Sequence, residues 1–224
     1  MEEEKKAKTE ELKNEASSTV SEVKDTIKQV DIKKDSIETK GFVTELFKDP
    51  LGKIKEIVTK ENKKNLTYAM IILAIWTVAE IIGTCMSIGM RRYAYGSIFN
   101  NMFEVVVALL TPAISILVMS LIILVVNSKN KKPLTKIITA VTTANVPNVL
   151  ASVVSLLTIF STQVSIITTP FNKLCSVISI VLLYFAAKAI VETEKNSEFI
   201  KKFTIIVSLY YVAYVILSLF KIYI

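Results

Sequence analysis

One acidic residue, Glu80, stands in the middle of a long apolar run from Leu66 to Gly89. Comparable runs carry Thr111 and Pro112, then Asn145, Pro147 and Asn148, then Ser176 and Ser179. A carboxyl, two amides, hydroxyls and helix-breaking prolines are the groups from which a proton or solute site is built inside a membrane. The same groups also serve as hydrogen-bonding glue between helices, at about 0.6 kcal/mol per bond. Counted along a helix, Glu80, Asn148 and Pro112 lie equally far, about 21 Å, from Leu66, Leu134 and Val126. Ser176 and Ser179 lie at a comparable distance from Val191. The spacing therefore predicts one polar layer shared by several helices.

These groups are expected to need one another. A charged carboxylate at mid-bilayer costs several kcal/mol, so Glu80 should face other helices and keep its proton. Each proline strands a carbonyl four residues earlier, Ala108 for Pro112 and Thr143 for Pro147. The expected partners of Glu80 are Asn145, Asn148 or one of those carbonyls. A small cavity and plain packing remain open as outcomes.

Catalytic chemistry has little to work with. The chain has no His, so histidine bases, the usual zinc sites and haem ligands are missing. No paired acid accompanies Glu80, and the 5 glycines form no phosphate-binding loop. No enzyme activity, metal or cofactor is expected. Cys85 and Cys175 fall near the same end of their runs; free thiols are expected, with a disulfide as the alternative. The net charge of +7 lacks the basic stripe with aromatics that marks a nucleic-acid surface.

The elements that must position the layer are long. Apolar runs at 66–89, 105–126, 133–160, 174–191 and 203–220 match the length needed to cross about 30 Å of hydrocarbon. They predict an all-α integral membrane protein with five transmembrane helices over residues 65–224, with 161–173 as a polar connection. The segment RRYAYGSIFNNMF after the first run suits a membrane interface. Before the spans, residues 1–41 are polar but repeat Leu12, Ala16, Val20, Val23, Ile27 and Val30 at coiled-coil spacing. This segment is expected to be cytoplasmic, helical or disordered, ended by Gly41, and open to a protein partner.

Residues 42–64 form a second unit. Asp49-Pro50 reads as an N-cap followed by proline in the first turn. Leu51, Ile54, Ile57 and Val58 then share one face, bordered by Lys53, Lys55, Lys60, Lys63 and Lys64. That pattern predicts an amphipathic helix on the membrane surface, drawn to anionic lipids of the inner leaflet. With the N-terminus cytoplasmic, Lys129, Lys131, Lys132, Lys136, Lys188, Lys195, Lys201 and Lys202 join them inside. The outer flanks then carry Arg91, Arg92, Lys173 and Lys221, so positive charge puts the N-terminus in and the C-terminus out. MEEEKKAKTEELK lacks the apolar core of a signal peptide, and no cleavage is expected.

The charged N-terminal segment, Phe47-Lys48-Asp49-Pro50, the five runs and the polar third run TAVTTANVPNVL together resemble the Yip family of Rab-GTPase-interacting membrane proteins. The likeness covers roughly Phe42 to the end, and the third run resembles bacterial members. It implies a five-helix membrane fold with a cytosolic N-terminus and, in eukaryotic members, vesicle traffic at the Golgi or endoplasmic reticulum. The chain lacks the Asp-Leu-Tyr-Gly-Pro motif of those members, and Tyr95-Gly96-Ser97 falls after the first span. Rab binding is therefore not expected, and a Lys-, Ile- and Asn-rich composition points to a bacterial cell membrane. Two function classes follow. One is a non-enzymatic scaffold or adaptor in membrane organisation or trafficking; the alternative is a small-solute or proton-coupled transporter using Glu80.

Overall fold

A computed structural model of the chain describes residues 2–60, 63–91, 98–127, 132–159, 164–191 and 196–219. The interfacial stretch around Arg92 and Tyr95-Gly96-Ser97 lies outside the described residues, as do Lys129, Lys131, Lys195, Lys221 and the Lys63 side chain. Among the described residues all regular structure is helical: α1 (Glu2–Gln29), α2 (Ile32–Lys48), α3 (Pro50–Thr59), α4 (Lys63–Arg91), α5 (Ile98–Val126), α6 (Leu134–Ala144), α7 (Val146–Ser155), α8 (Ser165–Val191) and α9 (Asn196–Ser218). A 3-10 turn, Leu156–Ile159, extends α7.

Four helices are long and apolar enough to cross a membrane, over Lys64–Gly89, Asn100–Val126, Ser165–Val191 and Asn196–Ser218. The protein is thus helical with a membrane-protein architecture. α6 and α7 meet the same test as a pair, bent by 46° at Asn145. The bend has a local cause. Pro147 sits in the first turn of α7, where its missing N–H costs no helical bond. Asn145 Nδ2 donates to the Val141 carbonyl at 2.9 Å, and Asn148 Nδ2 donates to Asn145 Oδ1 at 2.9 Å. Pro112, by contrast, lies inside an unbroken α5, and α8 begins at Ser165 with Pro170 inside it. The expected polar connection 161–173 is therefore largely the first turns of a helix.

The N-terminal boundary also moves. Gly41 lies within α2, and a Cβ built there would meet nothing within 4 Å, so the residue marks neither a turn nor a close approach. The chain breaks instead at Asp31, whose carboxylate accepts from the backbone N–H groups of Lys33 and Lys34, and at Asp49. Asp49 caps α3 by accepting from the Gly52 N–H at 2.9 Å, with Pro50 in the first turn as the spacing predicts. Of the predicted α1 seam, Val20 and Ile27 remain 66% and 55% exposed, although α1 runs beside α4 and α6.

The largest departure concerns α3. Ile54, Ile57 and Val58 are buried in the main core with Phe42 and Leu46 of α2, Leu134 and Ile137 of α6, and Ala186 and Ile190 of α8. The apolar face predicted to enter lipid is thus taken by the bundle, and only Leu51 is left exposed. Its lysines are engaged as well: Lys53 pairs with Glu45 at 2.6 Å and Glu56 at 3.3 Å, and Lys60 with Glu56 at 3.4 Å. Lys55 remains exposed and makes no ion pair among the described residues. A sequence face of this kind cannot distinguish lipid from apolar helix ends as its cover, and here the helix ends win.

α2 is fastened to α4 through Glu38, which accepts from Lys64 Nζ at 2.7 Å and from Tyr68 Oη at 2.9 Å. Phe42 packs on the Tyr68 ring, with centroids 5.1 Å apart. The Lys64 bond, then that of Tyr68, holds the Glu38 carboxyl below its ordinary 4.5. A depressed carboxyl stabilises the fold above its unfolded value, and that contribution is lost as pH falls through the folded one. The thermal midpoint should therefore drop on acidification below pH 4.5, and Glu38→Gln should shrink the drop without removing it. Glu56, held low by its bond to Lys53, supplies part of the remainder. An acid profile unchanged by Glu38→Gln would contradict this.

The same end is tied across the bundle by Asn127, whose Nδ2 donates to the Ile190 carbonyl at 3.0 Å. α9 is peripheral: it meets α5 through a 3.0 Å bond between Tyr210 Oη and Ser115 Oγ, and α8 through packed rings of Tyr184, Phe199 and Phe203. Dense packing thus gathers where α4 starts and where α5 and α8 finish. Beyond the Asn145 bend α7 packs against α8 and α4.

Candidate functional site

Past the bend, α4, α7 and α8 line an open cavity of about 570 Å³. α4 contributes Trp76, Glu80, Gly83 and Ser87, α7 contributes Asn148, Ser152 and Ser155, and α8 contributes Asn172 and Ser176. Each set recurs at three- or four-residue steps, the spacing that places side chains on one helical face. Thr158, from the turn after α7, completes the polar wall.

Glu80 lies at the centre of the bonding. Its Oε1 accepts from Ser152 Oγ at 2.7 Å and from Trp76 Nε1 at 3.2 Å. The carboxyl therefore faces α7 within the bundle. The partner is Ser152, one turn beyond the expected Asn148. Asn145 and Asn148 are occupied with each other and with the Val141 carbonyl, which closes the hinge instead of reaching Glu80. Across the cavity, Asn172 Nδ2 donates to Ser155 Oγ at 2.7 Å, fastening α8 to α7. The Asn172 Oδ1 is buried and has no hydrogen-bond partner among the described residues.

The predicted layer is therefore only partly one site. Glu80, Asn148 and Ser176 share the cavity. Asn145 and Pro147 form the bend beside it. Thr111 returns its hydroxyl to the Val107 carbonyl of its own helix at 2.8 Å, and Pro112 is buried in α5; neither lines the cavity. Ser179 is buried with an unpaired Oγ, also away from the lining. Equal depth along separate helices says nothing about facing, which explains the scatter. The residues missed, Ser152, Ser155 and Asn172, carried a legible signal: Asn148, Ser152 and Ser155 repeat at i, i+4 and i+7, as do Asn172, Ser176 and Ser179. Cys85 and Cys175 are free thiols, the first exposed and the second buried.

Ser152→Ala leaves Glu80 with Trp76 as its one donor. It should lower stability by about 1 kcal/mol, read by denaturant titration of the purified protein. No change would show that the short Ser152 contact carries no weight.

Compared with known protein families, curated proteins and solved structures, the chain finds no match. Fold and site together define an all-helical protein of membrane type with a polar cavity between three of its helices.

Proposed function

We propose that the chain is a non-enzymatic, five-span membrane protein of Yip-like type that acts as a scaffold or adaptor in membrane organisation. In this reading the bent α6–α7 pair crosses the bilayer as one span. The N-terminal helices lie in the cytoplasm, the C-terminus outside, and a bacterial cell membrane is the setting. The observation that carries it is the α2–α3 layer. Its apolar side is locked into the span ends by Leu46, Ile54 and Ile57. Its other side presents Glu45, Lys48, Asp49, Lys55 and Lys60 to the cytoplasm as a fixed, mixed-charge surface. A rigid charged platform on a membrane anchor suits recruitment of a protein partner, with α1 as a second arm. Lys55 adds attraction to anionic lipids, although the ion pairs of Lys53, Lys60 and Lys64 temper it.

The test is crosslinking in native membranes followed by purification. Charge reversal by Lys48→Glu with Lys55→Glu should remove the captured partner, and Glu80→Gln should leave it in place. A capture indifferent to the first change would remove the scaffold reading.

A second reading is favoured by the cavity itself. A lone carboxyl beside a broken helix is the arrangement around which solute or proton-coupled transporters are built. Under that reading Glu80→Gln abolishes flux into proteoliposomes, and the platform changes do not.

A further inference from the structure

We infer that the cavity between α4, α7 and α8 binds a small organic cation bearing a protonated amine. The inference deepens the second reading by naming the ligand class of that cavity; it requires binding there and not flux. Its volume of about 570 Å³ falls within the usual range for small-molecule sites. The chemistry follows from which hydrogen-bonding groups are already spent. Trp76 N–H and Ser152 O–H are both given to Glu80 Oε1. The Asn148 and Asn172 amide groups donate to Asn145 and Ser155, and Thr158 O–H is given to the Ser155 carbonyl.

Among the described residues two acceptors stand open, beside the Ser155 and Ser176 hydroxyls and the second N–H of each amide. Both bonds to Glu80 fall on Oε1, leaving Oε2 unengaged, and the buried Asn172 Oδ1 has no partner among the described residues. A guest that donates fits both of these acceptors. Among the described residues Glu80 is the one ionisable side chain in the lining; a bound ammonium supplies the neighbouring positive charge that favours its carboxylate form, so a single positive charge is matched. A divalent metal ion would call for a richer ligand set, and no group of three metal-ligating side chains occurs among the described residues. The Trp76 indole, whose N–H is already satisfied, provides an aromatic wall of the kind that attracts ammonium groups.

Trp76 is also the chain's only tryptophan, so its fluorescence reports on the cavity without a label. The full-length protein in nanodiscs is titrated at pH 7 with n-butylammonium chloride, with n-butanol as the neutral counterpart and sodium chloride as the ionic control. The expected result is a saturable change with butylammonium alone, about tenfold weaker in Glu80→Gln, where a charge-assisted bond is lost. Asn172→Ala, which removes the orphan acceptor together with the bond to Ser155 but leaves the Glu80 bonds in place, should weaken it as well; checked for folding by circular dichroism, it serves as the reporter if the first variant misfolds. A saturable response that is absent, equally strong in folded Glu80→Gln, or equally produced by sodium overturns the inference. Binding without uptake of butylammonium into proteoliposomes would retire the transport reading and leave the site standing.

Discussion

Replacing Ile57 with aspartate should unseat α3 and collapse the end of the bundle where α5 and α8 finish. Ile57 is 2% exposed, on a helix that packs against α2, α6 and α8, so an unpaired carboxylate there costs several kcal/mol. The milder Ile57→Ala should cost about 2–5 kcal/mol through lost contacts and a cavity. Leu51→Asp is the discriminating control. Leu51 shares the α3 apolar face in sequence but is 49% exposed, and its replacement should be nearly neutral for stability. Were α3 an independent helix floating on lipid, Leu51 and Ile57 would be equivalent and neither would change the melting of the bundle. Thermal unfolding of the three variants in nanodiscs separates the cases, and equal midpoints for the two aspartates would sink the docked platform.

Glu80→Leu should be the most damaging change inside the membrane-type region. It strands the Ser152 hydroxyl and the Trp76 N–H together, at about 1–3 kcal/mol for each buried group left unsatisfied. The lower part of that range applies where membrane helices find substitute partners. Glu80→Gln keeps an acceptor at the Oε1 position and should cost far less. The comparison reads stability by denaturation and local structure by Trp76 emission. A Glu80→Leu protein as stable as the parent, with unchanged emission, would show that the cavity network contributes nothing.

Much of this architecture was legible because a membrane imposes length and polarity on a sequence. Runs of apolar residues mark α4, α5, α8 and α9, and Asn145-Val146-Pro147 marks the bend. Asp49-Pro50 announces the start of α3 because capping chemistry is local. Facing was harder to read. Counting depth placed Thr111, Pro112 and Ser179 beside Glu80, yet they point elsewhere, because depth leaves the rotation of each helix free. The periodic series Asn148–Ser152–Ser155 held that missing rotation and singles out the wall that meets Glu80. The fate of the α3 face was illegible in principle, since lipid and helix ends are equally apolar. α8 was shortened in sequence because Pro170 and polar Thr168, Thr169 and Asn172 imitate a loop, whereas the fold buries Thr168 and spends Asn172 on Ser155.

In the proposed arrangement the platform is fixed to the cytoplasmic side of a bundle that crosses the bilayer an odd number of times. This central claim is tested most directly by accessibility to a membrane-impermeant maleimide in intact cells. Cys85 and Cys175 are first replaced by serine, and single cysteines are introduced as Lys55→Cys on α3 and Leu219→Cys beyond α9. The expected result is that Leu219→Cys labels in intact cells and Lys55→Cys labels only after permeabilisation. Labelling of both positions from the same side would make α6–α7 a re-entrant pair, leave four spans, and contradict the claim.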